Sequence, residues 1–63
     1  MTETEQKILQ ILIDTLRQNI LLVNNLNIIA RTEHSLVVSD ELYKISANLA
    51  GIKANVEKLL ETI

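Results

Sequence analysis

VSDELYKISANLAGIKANVEKLLETI, residues 38–63, places Val38, Leu42, Ile45, Leu49, Ile52, Val56, Leu59 and Ile63 at alternating steps of four and three. That spacing keeps one narrow apolar stripe along one side of a helix, the pattern used for lengthwise packing against another helix. In the preceding half, Leu9, Leu12, Leu16, Asn19, Val23, Leu26 and Ala30 hold the same kind of seam. Continuing the first register would bring Val37, Lys44 and Gly51 to the seam, whereas the second half puts Leu42, Leu49 and Val56 there. One straight helix cannot serve both, so the chain is expected to turn between Arg31 and Ser39.

Local chemistry agrees with a break there. Ser39 followed by Asp40 and Glu41 is a good helix start, because a hydroxyl can accept from a free N–H and carboxylates favour the positive end of the dipole. Thr2 or Thr4 can cap the first helix, with Glu3 and Glu5 in its opening turn. The expected organisation is a single domain over residues 1–63, with helix 1 at about 3–31, a turn at about 32–38 and helix 2 at about 39–62.

A domain of 63 residues buries only about 60% of the surface its unfolded chain exposes, so small folds usually add disulfides, metals or oligomerisation. There is no Cys, and the single histidine, His34, has no ligand partner at metal-site spacing. Yet 48% of residues are hydrophobic, with no Phe or Trp, so many Leu, Ile and Val side chains must find cover. At about 100° per residue the apolar side chains of helix 1 fill an arc of roughly 200°, which one neighbouring helix does not cover. The predicted architecture is therefore all-α: an antiparallel two-helix hairpin that homodimerises into a four-helix bundle. Its expected core contains Leu12, Leu16, Asn19, Val23, Leu26, Leu42, Ile45, Leu49, Ile52, Val56 and Leu59. Asn19 in that set is read as a register-fixing amide.

Leu21 and Ile28 fall outside the arc and are candidates for a partner-binding surface. A second candidate is the small-residue face of helix 2, Ala47, Ala50, Gly51 and Ala54, with Tyr43 beside it. Gly51 in mid-helix costs about 1 kcal/mol relative to Ala unless close approach repays it. His34 is read as a solvated turn residue, and Leu36, Val37 and Val38 as closing the bundle end. Ser35, Ser39 and Ser46 have no evident base and orienting partner, so no enzyme is expected. No cofactor, metal or small-molecule substrate is expected either.

The net charge is −2, with charges scattered, which disfavours polyphosphate and anionic membranes as partners. Residues 8–30 approach a membrane span in length but include Asp14, Arg17 and several amides. The acidic start Thr2-Glu3-Thr4-Glu5 is unlike a secretory signal, and a soluble, cytoplasmic protein is expected.

Two likenesses are carried by short segments. The length, the two-helix reading and Asp40-Glu41-Leu42-Tyr43-Lys44 resemble the Rop family of plasmid copy-number modulators, hairpin dimers that bind paired RNA loops. The likeness covers five residues, and the basic and polar residues of that family's RNA-binding face have no clear counterpart on helix 1. Leu16-Arg17-Gln18 with Ser39-Asp40-Glu41-Leu42 resembles small sporulation phosphatases acting on aspartyl-phosphate response regulators. Their motif has Asp four residues after Ser, where this chain has Tyr43, so that activity does not carry over. The expected function is a non-enzymatic adaptor or regulator acting through protein–protein contact, on itself and on another protein. The alternatives are an RNA-binding regulator using Lys7, Arg17 and Arg31, or a small co-chaperone shielding a partner's amphipathic helix.

Overall fold

The computed structural model describes residues 2–62. Two helices, α1 (Glu3–Thr32) and α2 (Leu36–Glu61), fold back on each other as a hairpin with Cα extents of 47 × 14 × 10 Å. Ile63, expected at the last seam position of helix 2, lies outside the described residues.

Thr2 starts α1 with a complete capping box. Its hydroxyl accepts the Glu5 N–H at 3.2 Å and donates to the Glu5 carboxylate at 2.9 Å, while its own N–H donates to the same carboxylate at 3.2 Å. These bonds occupy donors that a helix start otherwise leaves without partners. The Glu5 carboxyl is held below the usual glutamate range, chiefly by the Thr2 hydroxyl and then by the Thr2 N–H.

At the far end of α1 the chain reverses within three residues. His34 takes a left-handed conformation, φ 58°, its N–H bonding to the Arg31 carbonyl at 3.1 Å and that of Ser35 to the Ala30 carbonyl at 2.8 Å. This pair of bonds is the Schellman arrangement, which satisfies the last carbonyls of a helix and turns the chain away. Ser35 then serves at once as the N-cap of α2. Helix α2 thus begins at Leu36, earlier than the Ser39 start expected from its side chain, and Ser39 lies within the helix. Its hydroxyl donates instead to Asn27 Oδ1 across the hairpin. Leu36, Val37 and Val38 are exposed on the first turn of α2.

Asn27 meets Ser39, and the Ser46 hydroxyl donates to Asn24 Oδ1 at 3.0 Å. Moving toward the start of α1 thus means moving along α2 toward its end, and the helices run antiparallel. In α1 the side chains nearest the seam are Leu9, Ile13, Leu16, Ile20, Val23, Asn27 and Ala30. In α2 they are Ser39, Leu42, Ser46, Leu49, Lys53, Val56 and Leu60. Among the described residues, Ile13, Leu16 and Ala30 are the buried hydrophobic side chains.

This seam departs from the expected one at alternate positions. Leu9, Leu16 and Val23 in α1, and Leu42, Leu49 and Val56 in α2, hold the seam as expected. The intervening places go to residues four further on, such as Ile13 and Ile20 or Ser46 and Lys53, rather than three further on. Small side chains are the physical reason in α2: Ser39 and Ser46 reach Asn27 and Asn24 by short hydrogen bonds. Those bonds draw the polar flank of each helix toward the other.

Candidate functional site

The residues three beyond each shared seam position are left on the outside. They are Leu12, Asn19 and Leu26 in α1, and Ile45, Ile52 and Leu59 in α2. At about 100° per residue, all lie on the flank of their helix opposite the Asn24–Ser46 bond, so both sets fall on the same broad face of the hairpin. Val38 belongs to the same row in α2. The exposures are 40% at Leu12, 43% at Leu26, 45% at Ile45, 49% at Ile52 and at Leu59, and 50% at Val38.

Such half-covered aliphatic side chains are aligned, not scattered. Farther round α1, Ile8, Leu22 and Ile29 extend the apolar surface, with exposures of 57–59%. The opposite broad face is polar and carries Arg17, Asn24, Ser46 and Glu57. In α2 the more apolar flank, with Ile45 and Ile52, is thus the open one, and the flank with Ser46 and Lys53 is turned toward α1. Contiguous exposed apolar surface of this kind is uncommon on soluble monomers.

Surface area gives the scale. On the mass scaling of compact monomers a 7.1 kDa chain exposes about 4,100 Å². The hairpin exposes 4857 Å², an excess of roughly 750 Å² over that relation. One partner's share of a standard protein–protein interface is about 800 Å².

The candidate partner surfaces lie elsewhere. Leu21 and Ile28 are exposed by 58% and 63%, on the outer side of α1 beyond the polar face. Tyr43, 69% exposed, is on the outer side of α2, with Asn24 and Ser46 between it and Ile28. These three do not merge into one patch. Ala47, Ala50, Gly51 and Ala54 are exposed on the outside of α2. A Cβ added at Gly51 would meet nothing within 4 Å.

The cations are dispersed. Lys7, Arg17, Lys44 and Lys53 each stand 3.0–3.7 Å from a carboxylate one turn away along their own helix. His34 is exposed at the turn. Among the described residues no group of three or more His, Cys, Asp or Glu is placed to hold a metal ion. Two shallow depressions at the open end of the hairpin, one lined by Glu3, Gln6, Lys7, Gln10 and Leu60 and the other by Glu5, Ile8, Leu9 and Leu59, are broadly open to solvent. Neither encloses a titratable pair in the way an acid–base site requires. No helix among the described residues is long and apolar enough to cross a membrane.

Compared with protein-family models, with curated proteins and with solved structures, the chain matches none of them.

Proposed function

We propose that this chain is a non-enzymatic adaptor or regulator that works as a homodimeric four-helix bundle, presenting its outer helix surfaces to another protein in the cytoplasm. The observation that carries the reading is the aligned apolar face of Leu12, Leu26, Val38, Ile45, Ile52 and Leu59. Two hairpins apposed on that face form four antiparallel helices around one interior, an arrangement in which each helix covers two neighbours. The wide apolar arc of α1 then has two helices against it. With the face occupied by a second copy, Leu21 and Ile28 on α1 and Tyr43 with the small-residue strip on α2 stay accessible, and they are the surfaces offered to the partner.

The RNA-binding reading has less support. Arg17 and Lys7 stand beside Asp14 and Glu3, which weakens their pull on phosphates, and Tyr43 is the only aromatic side chain for stacking on bases. The co-chaperone reading assigns the same open face to an amphipathic helix of another protein. It is favoured by the width of the α1 arc alone, whereas the matched apolar row on α2 favours a second hairpin.

Partner capture from the native host by the immobilised protein tests the adaptor reading. Leu21→Glu or Ile28→Glu is expected to abolish capture with the bundle intact, and capture is expected to vary little with salt. Loss on Arg17→Ala or Arg31→Ala instead, with RNA recovered and binding falling steeply as salt rises, would replace it with the RNA reading.

A further inference from the structure

The open face reads nearly the same in both directions along each helix. In α1, Leu12 and Leu26 stand at equal distances either side of Asn19, and Ile8 and Ile29 stand beyond them. In α2, Ile45 and Ile52 flank Asn48, with Val38 and Leu59 farther out. The cross-hairpin bonds Asn27–Ser39 and Asn24–Ser46 bracket the levels: carried along the helices they set Asn19 opposite Ala47 and Gly51, with Asn48 between these bounds. Both palindromes thus share one centre, a layer of two asparagines midway along the hairpin.

From this symmetry we infer how the two copies are arranged: α1 lies antiparallel on α1 of the second copy, α2 on α2, and the two turns are at opposite ends of the bundle. The inference rests on the dimeric reading above and deepens it. A closed dimer has a two-fold axis, and an isologous interface must be complementary to itself. Face-to-face hairpins allow two such axes. One crosses the helices at the asparagine layer, and the other runs parallel to them.

The crossing axis sets like against like. Leu12 meets Leu26 of the second copy, Ile8 meets the Ile29 turn, Ile45 meets Ile52 and Val38 meets Leu59. Asn19 then faces Asn19, and Asn48 faces Asn48. A carboxamide carries both donors and an acceptor, so two copies of one asparagine can bond to each other reciprocally. The parallel axis instead sets α1 on α2 of the second copy at equal levels. Leu12 would then face Asn55, and Leu26 would face Glu41, leaving a carboxylate against an aliphatic side chain at considerable desolvation cost. The mismatches of polarity under the crossing axis are Thr15 against Leu22 and Glu41 against the Asn55–Val56 step, fewer than the Leu12–Asn55, Thr15–Ile52 and Leu26–Glu41 mismatches of the parallel axis.

Pulsed dipolar spectroscopy on nitroxide-labelled full-length chain tests the arrangement. The sequence has no Cys, so Glu33→Cys at the turn and Thr62→Cys at the open end each carry one label per copy. The expected result is a separation close to the 47 Å length of the hairpin at both sites. Separations of no more than about 20 Å, two helix diameters, at both sites in a sample that sediments as a dimer would overturn the arrangement but leave the dimer standing. Absence of dipolar coupling in a sample that sediments as a monomer would overturn both. Circular dichroism on the same samples checks that each variant is as helical as the parent.

Discussion

Ser35 donates its backbone N–H to the carbonyl of Ala30 across 2.8 Å, and His34 between them sits in the left-handed region. The bond closes α1, positions Ser35 to start α2, and so sets where the hairpin folds. A side chain at that φ crowds its own carbonyl at a cost of about 1–2 kcal/mol, which glycine avoids while gaining entropy in the unfolded chain. His34→Gly is expected to raise stability by a net of roughly 0.5–1 kcal/mol. Urea denaturation measures it, and a loss would mean the imidazole makes a contact that outweighs the strain.

The Thr2–Glu5 capping box predicts a pH response at one helix end. The carboxyl of Glu5 titrates below its ordinary value in the folded chain, so its contribution is complete above the unfolded pKa of about 4.3. It is lost as pH falls through the lower, folded value. Carbon-detected NMR titration should place the Glu5 midpoint below the ordinary range, with amide protection in the first turn of α1, taken relative to the intrinsic exchange rate, falling at acid pH. Thr2→Ala removes the hydroxyl and keeps the N–H, so it should move the midpoint toward that range.

Gly51 faces open space in the single hairpin. Gly51→Ala is accordingly expected to stabilise α2 by about 0.5–1 kcal/mol, seen as a higher melting temperature. A lower melting temperature would show that another chain approaches the backbone at the Ala47–Ala54 strip.

Asn19 is exposed in one copy, within the apolar row of α1. On the dimeric reading, Asn19→Leu should raise the melting temperature while broadening the distribution of oligomers, because an aliphatic group removes the desolvation cost of an amide proposed to fix register. Native mass spectrometry reads the second effect. A clear fall in melting temperature would mean that the amide makes hydrogen bonds the assembly cannot spare.

Periodicity made the two helices legible, and the phase slip between Ala30 and Leu42 located the reversal. Two features were hidden for separable reasons. The tight turn at Glu33–Ser35 depends on a left-handed His34, and with no Gly or Pro nearby the side-chain pattern carries no mark of it. The seam was ambiguous in α1 because Leu12 and Ile13, three and four beyond Leu9, are both apolar, while the later places offer one apolar and one amide side chain each, Asn19 with Ile20 and Leu26 with Asn27. In α2, hydrophobicity alone selects Ile45 and Ile52 over Ser46 and Lys53, whereas serine–asparagine hydrogen bonding draws the polar flank inward. The open face follows from that choice. It was foreshadowed only by the excess width of the α1 arc and by Leu, Ile and Val side chains in greater number than two helices can hide.

The central claim is that a second copy of this chain covers the face built from Leu12, Leu26, Ile45, Ile52 and Leu59. Sedimentation equilibrium at micromolar concentration tests it most directly, on the parent and on Ile45→Glu with Ile52→Glu combined. The account predicts a parent species of twice 7.1 kDa and a shift of the doubly substituted chain toward the monomer. A parent that stays a folded monomer across that range would contradict it.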